Sequence, residues 1–220
     1  MNKTILVIPA YNEAERIATV ISQALALVDQ VIVIDDGSID ETFVKAQAAG
    51  ALTLRHRINL GKGAALKTGC EAARRLGAEI IVTIDADGQH PPEFIPQVVE
   101  FLKNNNLDFV FTIRRGGDQM SLIRRLGRYV LNFQARKLFN LNLQDMWCGF
   151  RVFRMECLPK IDWNKSDYSG EIQMALKVGK NGLRYGEYVI PTIYNDNFKG
   201  VHILHGLKLL AQMFVWRIIL

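Results

Sequence analysis

Short apolar runs alternate with longer segments in which apolar residues recur at the spacing of one helix face. The predicted strands of the first half are Thr4–Ile8, Gln30–Ile34, Ala51–His56 and Glu79–Ile84. The predicted helices between them are Glu13–Val28, Thr42–Ala49 and Gly61–Leu76. We expect Pro9 to stop the first strand and Ser38 to cap the second helix. Strands that alternate with helices predict an α/β domain with a mostly parallel sheet and helices on both faces.

The second half of the chain is less regular. Its predicted helices are Phe94–Leu102, Ser121–Phe139 and Ser169–Lys180, and its predicted strands are Leu107–Ile113, Phe150–Phe153 and Tyr185–Ile190. Arg114–Met120 is a polar segment with two glycines and is predicted to be a loop. Because no Pro/Gly/Ser-rich linker divides the chain, we expect one domain over residues 1–202 and an amphipathic C-terminal helix over 203–220.

Composition narrows the class of protein without choosing a function. A length of 220 residues suits a single core, and a net charge of +5 is a mild bias towards anionic partners that does not predict nucleic-acid binding. The N-terminus does not resemble a signal peptide, and no apolar run approaches the ~18 residues of a membrane span. The three cysteines form no Cys-x-x-Cys pair, which favours a reducing, cytoplasmic location.

Polar residues follow three of the predicted strands at the point where each strand ends. They form the segments Pro9–Glu13, Asp35–Ser38 and Asp85–Gln89. Since the carboxyl ends of parallel strands lie on the same edge of a sheet, we expect these three segments to line one rim. Ligands of open α/β sheets bind at that rim.

The pair Asp85 and Asp87 is the strongest candidate for chemistry. Residues i and i+2 of an extended segment point the same way, so both carboxylates can face one cleft. Two carboxylates this close repel each other unless a cation lies nearby, and oxygen ligands suit Mg²⁺ or Mn²⁺. A solvated acidic turn remains the alternative for this pair alone.

Two other segments, one on the rim and one before a predicted helix, allow both a binding and a structural interpretation. Pro9–Glu13 combines a fixed turn, the Tyr11 ring and the Glu13 carboxylate, which suits a nucleobase or simply a helix start. Asn59–Gly63 is a glycine-rich turn before a helix, with neither Walker A nor dinucleotide-fingerprint spacing. Close backbone packing at a helix start is the favoured interpretation there, with Lys62 as a candidate diphosphate contact.

Five segments together resemble family 2 glycosyltransferases. They are Val7–Glu13, Asp35–Ser38, Asn59–Gly63, Asp85–Pro91 and Gly149–Phe153, and the last resembles the dolichyl- and polyprenyl-phosphate mannosyl- and glucosyltransferases. The resemblance implies a GT-A (Rossmann-like) fold and an inverting, metal-dependent transfer from a UDP- or GDP-sugar. It also implies a nucleoside site made by Pro9, Tyr11, Glu13 and Asp36, with Asp85 near the ribose and Asp87 and Gln89 on Mg²⁺ or Mn²⁺.

A basic region suggests the nature of the acceptor. From Arg114 to Lys137 the chain has seven Lys or Arg residues and one acidic residue, Asp118. Guanidinium groups bind phosphate through paired hydrogen bonds, so Arg114, Arg124, Arg125 and Arg151 are the predicted contacts of an acceptor phosphate. The same region and the C-terminal helix suit an anionic membrane surface, which predicts a peripheral enzyme on the cytoplasmic face.

The role of Asp145 depends on the acceptor. A phosphomonoester has a second pKa of about 6 and needs no general base at neutral pH, whereas a sugar hydroxyl acceptor does. Asp145 stands where the family that this chain resembles has an acidic residue before Gly-Phe-Arg. The resemblance therefore predicts that Asp145 either orients Arg114 or Arg151, or is that base. The predicted catalytic residues are Asp87, Asp145 and Arg114, and the predicted reaction is hexose transfer to a polyprenyl phosphate. Transfer to a glycan hydroxyl and a non-catalytic nucleotide-sugar-binding subunit are the alternatives.

Two positions depart from the family pattern. Cys148 stands where a small hydroxyl residue is usual before Gly-Phe-Arg, and the lysine expected near Lys199–Ile203 is missing. Lys199 or His202 are candidate substitutes for that lysine. The spacing of His202 and His205 alone does not predict a metal site, and the cysteines are expected to be buried and unreactive.

Overall fold

A mixed sheet of seven strands organises the residues that the computed structural model describes, which are 3–115, 122–191 and 203–219. The strands are β1 Thr4–Ala10, β2 Gln30–Asp35, β3 Leu52–Arg55, β4 Ile80–Thr83, β5 Phe109–Arg115, β6 Arg151–Arg154 and β7 Tyr185–Pro191. Their spatial order is β3-β2-β1-β4-β6-β5-β7. Only β6 runs antiparallel to its neighbours within this sheet, so the prediction of a mostly parallel sheet is confirmed.

Helices cover both faces of the sheet. They are α1 Ile17–Ala24, α2 Thr42–Ala48, α3 Lys62–Arg75, α4 Ile95–Asn104, α5 Leu122–Phe139, α6 Leu158–Ile161, α7 Ser169–Lys180 and α8 Ile203–Ile219. Short 3₁₀ turns at Pro92–Phe94 and Met155–Cys157 precede α4 and α6. The sequence did not predict α6 or the turn before it, because a segment this short shows no periodicity.

The alternation of side chains along the buried strands creates two cores. On β1, Ile5 and Val7 join the core beneath α3, α5, α7 and α8, whereas Leu6 and Ile8 join the core beneath α1, α2 and α4. All seven residues of β1 are buried, as expected for a central strand with helices on both sides. This burial fixes the register of the strand and therefore the positions of the polar residues at its end.

Two local predictions were wrong. The first strand continues through Pro9 to Ala10, because β4 has ended at Thr83 and the missing N–H of Pro9 leaves no ladder bond unmade on that side. Ser38 does not cap α2, whose N-cap is Glu41. The Ser38 hydroxyl instead accepts a hydrogen bond from the Asn12 N–H at 2.9 Å.

The C-terminal helix α8 packs on α5. The Gln134 side-chain nitrogen donates to the Leu210 carbonyl at 2.8 Å, and Leu209, Met213 and Trp216 are buried in the core shared with α5. No helix in the described ranges is both long enough and apolar enough to cross a bilayer. The predicted loop Arg114–Met120 starts too early, because Arg114 and Arg115 belong to β5. Its residues 116–120, together with Ser121, Lys199 and His202, lie outside the described residues.

Candidate active site

The carboxyl ends of β1, β2 and β4 bring the three polar segments together on one rim, as the sequence predicted. β1 pairs with β2 on one side and with β4 on the other. Beyond the ladder, the Asp36 N–H donates to the Ala10 carbonyl at 2.8 Å. The loops after these strands therefore share one edge of the sheet, where a ligand can contact all three.

The first segment offers an exposed ring and a partly buried carboxylate. Tyr11 is 45% exposed, and Asn12 has a positive φ of 55°, which turns the chain away from the strand. Burial raises the pKa of Glu13, although Arg16 at 2.9 Å opposes this shift. The roles predicted for Pro9, Tyr11 and Glu13 in nucleoside binding remain predictions.

Asp36 holds the glycine-rich turn in place. Its buried carboxylate accepts hydrogen bonds from the Leu60 N–H at 2.9 Å, from the Gly61 N–H at 2.7 Å and from His56 Nδ1 at 2.7 Å. The sequence did not predict this anchoring role. These hydrogen bonds do not test the predicted contact of Asp36 with a nucleoside.

The turn itself is a closely packed helix start, which confirms the favoured interpretation. A Cβ on Gly61 would lie 2.5 Å from the Ser166 carbonyl oxygen, and one on Gly63 would lie 2.4 Å from the Lys165 carbonyl oxygen. The Ser166 carbonyl also accepts the Ala64 N–H at 3.0 Å. The segment before α7 therefore covers the start of α3, and only glycine leaves room for it.

Lys62 joins two carboxylates from different parts of the chain. Its Nζ lies 2.6 Å from Asp85 Oδ1 and 2.8 Å from Glu171 Oε2. Burial alone would lower the pKa of Lys62, but the two carboxylates outweigh burial and raise it, so the ammonium stays charged. The exposed ring of Tyr168 lies 5.5 Å from the same Nζ.

Asp85 and Asp87 have opposite electrostatic environments. Burial would raise the pKa of Asp85, but Lys62 and His90, whose Nε2 lies 3.5 Å from Asp85 Oδ2, lower it. The pKa of Asp87 is raised, first by burial and then by the neighbouring charge of Asp85. The charge of Asp85 is therefore compensated by Lys62 and His90, whereas burial and the charge of Asp85 oppose the ionisation of Asp87.

These residues fit a metal that takes few protein ligands. No group of three or more His, Cys, Asp or Glu side chains with metal-binding geometry occurs in the part of the chain that the structure describes. Mg²⁺ commonly binds one or two carboxylates and completes its shell with substrate phosphates and water. The raised pKa of Asp87 is the feature that a divalent cation would reverse. The Gln89 N–H donates to Asp87 Oδ1 at 2.9 Å, which places Gln89 beside this carboxylate.

Gly149 packs directly against Asp85. A Cβ at this position would lie 2.6 Å from Asp85 Oδ2, and the Gly149 carbonyl accepts the Thr83 hydroxyl at 2.9 Å. Strand β6, which begins at the arginine of the Gly-Phe-Arg segment, pairs with β4. This pairing explains why residues 64 positions apart meet at the rim.

Arg151 is buried beneath the site. It is 1% exposed, and its guanidinium donates to the Glu171 carbonyl at 2.7 Å, the Met146 carbonyl at 3.0 Å and the Cys148 carbonyl at 3.2 Å. This geometry favours a structural role for Arg151, and its predicted contact with an acceptor phosphate remains a prediction. Asp145 is also buried, and its Oδ1 accepts the Trp147 N–H at 3.0 Å.

Cys148 belongs to a buried polar chain behind Asp85. Its Sγ lies 3.0 Å from Thr112 Oγ1 and 3.9 Å from His90 Nδ1. The Thr112 hydroxyl in turn donates to the Phe150 carbonyl at 2.7 Å. As expected, all three cysteines are buried and free. The sulfur therefore has polar neighbours on two sides within the protein.

Three predicted acceptor residues lie on elements next to the rim. Arg114 is in β5, which follows the same direction as β4, and Arg124 and Arg125 are in the first turn of α5. Their side chains lie outside what the structure describes. Their predicted roles therefore rest on the sequence and on the backbone position alone.

Sequence reasoning missed Glu171, His90 and Tyr168. Glu171 and Tyr168 are far from the other site residues along the chain, and only the packing of α7 against α3 brings them to Lys62. A signal for His90 was present, because it directly follows the Asp-x-Asp-Gly-Gln run. The run alone does not assign His90 a role, since a lone histidine beside prolines carries no specific pattern.

A mostly parallel α/β sheet with Asp85 and Asp87 at its rim agrees with the GT-A fold that the sequence resemblance implies. Residues 5–162 match the profile of "Glycosyl transferase family 2". The chain belongs to this family and is a glycosyltransferase.

Relatives with assigned activities extend over almost the whole chain. The UDP-N-acetylglucosamine–dolichyl-phosphate N-acetylglucosaminyltransferase of Methanococcus voltae is 29% identical over 94% of this chain and 93% of its own length. The polyprenol monophosphomannose synthase of Mycolicibacterium smegmatis is 29% identical over 96% of this chain and 84% of its own length.

Solved structures support the fold. Glucosyl-3-phosphoglycerate synthase from Mycobacterium tuberculosis, in complex with Mg²⁺ and uridine diphosphate, superposes with a TM-score of 0.76. The identity is 24%, and the match covers 98% of this chain and 79% of that one. At this identity the likeness establishes the shared GT-A architecture and nothing finer.

Proposed function

We propose that this enzyme transfers a hexose or N-acetylhexosamine from a UDP- or GDP-sugar to a polyprenyl phosphate such as a dolichyl or undecaprenyl phosphate. The observation that carries the proposal is the unequal carboxylate pair at the rim: Lys62 and His90 lie beside Asp85 and lower its pKa, while burial and the charge of Asp85 raise the pKa of Asp87. The named activities of the two relatives supply the class of acceptor.

The donor lies along the rim in this proposal. Tyr11 and Glu13 contact the nucleoside, Asp36 lies beneath it, and Asp85 approaches the ribose. Lys62 and Glu171 provide a cation and a carboxylate beside Asp85, where polar groups of the donor require partners. A sugar hydroxyl can donate to Glu171 and accept from Lys62 at the same time.

Asp87, with Gln89, is the group that would hold Mg²⁺ or Mn²⁺. Such a cation neutralises the charge that develops on the diphosphate leaving group. The residues of this chain orient the donor so that the anomeric carbon faces the acceptor. The acceptor oxygen forms a new bond to that carbon while the bond to the diphosphate breaks on the opposite side, which inverts the centre.

The acceptor phosphate requires positioning and charge neutralisation. A phosphomonoester is mostly ionised at neutral pH because its second pKa is about 6, so its oxygen attacks without a general base. Arg114, Arg124 and Arg125 are the residues we assign to it, with Asp145 as an orienting group. We place the enzyme peripherally on the cytoplasmic side of a membrane, where such an acceptor is presented.

A donor and acceptor panel tests the reaction. Radiolabelled UDP-glucose, UDP-N-acetylglucosamine and GDP-mannose are offered with polyprenyl phosphate and Mn²⁺, and label extracted into organic solvent is counted. We expect one donor to label the lipid. If no donor does, and water-soluble glycans are labelled instead, the hydroxyl-acceptor alternative replaces the proposal.

Two variants separate the remaining alternatives. Asp87→Ala should abolish the Mn²⁺-dependent part of donor affinity in calorimetry, and an unchanged affinity would overturn the metal assignment. Asp145→Asn should keep most lipid transfer, because a phosphate nucleophile needs no base. A protein that binds donor but never hydrolyses or transfers it would be the non-catalytic subunit.

A further inference from the structure

Helix α8 has apolar residues on its exposed side in addition to those on its buried side. Its inner face buries Leu209, Met213 and Trp216 in the core. On the outer side Ile218 is 85% exposed and Phe214 is 61% exposed, and Val215 and Ile219 are also exposed. A helix with a single apolar face would bury these residues or lack them. The sequence predicted one apolar face, and the structure shows apolar residues on both.

The neighbouring helix α5 extends this surface. Tyr129, Val130 and Phe133 are exposed, while Leu131 and Ala135 of the same helix are buried in the core that α8 also covers. Because α5 and α8 pack against each other over one side of the sheet, their outer sides belong to one layer of the molecule. We call the exposed apolar residues of this layer the outer face; they are Tyr129, Val130, Phe133, Phe214, Val215, Ile218 and Ile219.

Cations border the outer face. Phe133, Arg136 and Lys137 line a surface cavity of about 620 Å³, and Lys137 Nζ lies 5.9 Å from the Phe133 ring. Arg136 and Lys137 are exposed, as is Arg217 on α8. The apolar and the basic parts of this surface therefore meet at Phe133.

The charge of the two helices differs from that of the rest of the chain. Together α5 and α8 contain seven Lys or Arg residues and no Asp or Glu: Arg124, Arg125, Arg128, Arg136, Lys137, Lys208 and Arg217. The other residues contain 20 Lys and Arg against 22 Asp and Glu, from chain totals of 27 and 22. The positive net charge of the protein thus comes from these two helices.

From this combination we infer that the outer face binds the surface of an anionic lipid bilayer. Exposed aromatic and aliphatic side chains insert at the boundary of headgroups and acyl chains, while flanking Lys and Arg residues attract anionic headgroups. An apolar partner protein would explain the exposed side chains but not the absence of Asp and Glu from both helices. The inference rests on the proposed function in one respect: the lipid acceptor is the reason why the enzyme would bind a bilayer. Bilayer binding itself can be measured without any donor or transfer reaction.

The position of the two helices suits that purpose. α5 follows β5 and α8 follows β7, and these parallel strands end on the rim that carries Asp85 and Asp87. The two helices therefore begin towards the rim, and the outer face extends from there towards the opposite edge of the sheet, where the Asn142 N–H bonds to Tyr185 at the start of β7. In this proposal a phosphate headgroup enters at the start of the two helices while its polyprenyl tail stays in lipid.

Vesicle sedimentation of the full chain tests the inference. We expect binding to phosphatidylcholine vesicles that contain about 30% phosphatidylglycerol, and weaker binding to pure phosphatidylcholine or at high salt. Arg136→Gln/Lys137→Gln should weaken binding about 30-fold, since each cation near an anionic surface contributes about a fivefold gain. Arg74→Gln/Arg75→Gln on α3 changes the net charge equally and should have little effect.

A second pair of variants tests the apolar part. Phe214→Ser/Ile218→Ser should reduce vesicle binding about tenfold or more, whereas Ile39→Ser/Val44→Ser, which also removes exposed apolar side chains, should not. Equal effects of both pairs would overturn the inference. Equal binding to neutral and anionic vesicles would also overturn the inference. A further contradicting result would be a wild-type dimer in light scattering that is lost in the Phe214→Ser/Ile218→Ser variant, together with no vesicle binding by either protein.

Activity measurements separate this inference from the proposed reaction. In the Phe214/Ile218 variant, transfer to long-chain polyprenyl phosphate in vesicles should fall about tenfold, and transfer to a short, water-soluble prenyl phosphate should be unchanged. Equal losses with both acceptors would contradict a membrane role. Vesicle binding with no transfer to either acceptor by the wild type would leave the surface in place and overturn the proposed function.

Discussion

Replacing Lys62 by Met removes the ammonium group that lies between two carboxylates. In the native protein Lys62 Nζ lies 2.6 Å from Asp85 and 2.8 Å from Glu171, and all three side chains are largely buried. Methionine preserves the volume of the aliphatic stem but leaves the carboxylates facing each other without the cation. Breaking a buried ion pair from one side usually costs about 3–5 kcal/mol.

The protein can relieve this repulsion by protonating one carboxyl. At pH 7, protonating a group with an ordinary pKa of about 4.3 costs about 3.7 kcal/mol, and at pH 5 it costs about 1 kcal/mol. The folded-state pKa of that carboxyl is raised in the variant, so its stability is retained below the unfolded pKa and lost as the pH rises. We therefore expect Lys62→Met to cost about 3–4 kcal/mol at pH 7 and about 1 kcal/mol at pH 5.

Urea unfolding at the two pH values measures this difference directly. Lys67→Met is the matched control, because Lys67 pairs with Asp162 at 2.7 Å with both side chains half exposed, and it should cost less than about 1 kcal/mol. The double variant Lys62→Met/Glu171→Gln should recover at least half of the loss. A cost that is equal at pH 5 and pH 7, or below about 1 kcal/mol at pH 7, would refute the reasoning.

Three further substitutions test other contacts of the site. Gly149→Ala should weaken donor affinity in calorimetry at least about tenfold, because the new methyl would lie 2.6 Å from the Asp85 carboxylate. The control Gly127→Ala should leave donor affinity unchanged, because its methyl would have no neighbouring atom within 4 Å. Arg151→Met should lower the free energy of unfolding by about 2–4 kcal/mol, since three carbonyls lose their donor; a loss below 1 kcal/mol in urea would show that water replaces it. Asp36→Asn should lower the free energy of unfolding by about 1–3 kcal/mol, because an amide cannot accept all three hydrogen bonds. Unchanged hydrogen exchange at the Leu60 and Gly61 amides would contradict the anchoring role of Asp36.

The apolar periodicity was sufficient to predict the architecture of the first half. Strands such as Gln30–Asp35 are short, β-branched and buried, and the length and β-branched composition of such a run favour a strand over a helix. Once the sheet is parallel, the carboxylates after β2 and β4 must share a rim. The candidate site could therefore be predicted in outline without knowing any long-range contact.

The sequence could not predict the partners of those carboxylates. Asp85 and Glu171 are 86 positions apart, and their shared contact with Lys62 depends on how α7 packs on α3. Arg151 shows that a motif residue can also acquire partners that the sequence does not predict. The sequence predicts a contact with a phosphate, whereas in the structure its guanidinium donates hydrogen bonds to buried carbonyls. A one-dimensional pattern contains residue types and spacing, while these contacts depend on which helix faces meet.

The C-terminal helix shows most clearly what the sequence determines and what only the tertiary structure decides. Its apolar and basic residues are evident from the sequence, which predicts an amphipathic helix without identifying the surface that covers its apolar face. Only the tertiary structure shows that Leu209, Met213 and Trp216 are used by the protein's own core while Phe214 and Ile218 point outwards. Periodicity identifies apolar positions, but whether a neighbour covers them is decided by packing.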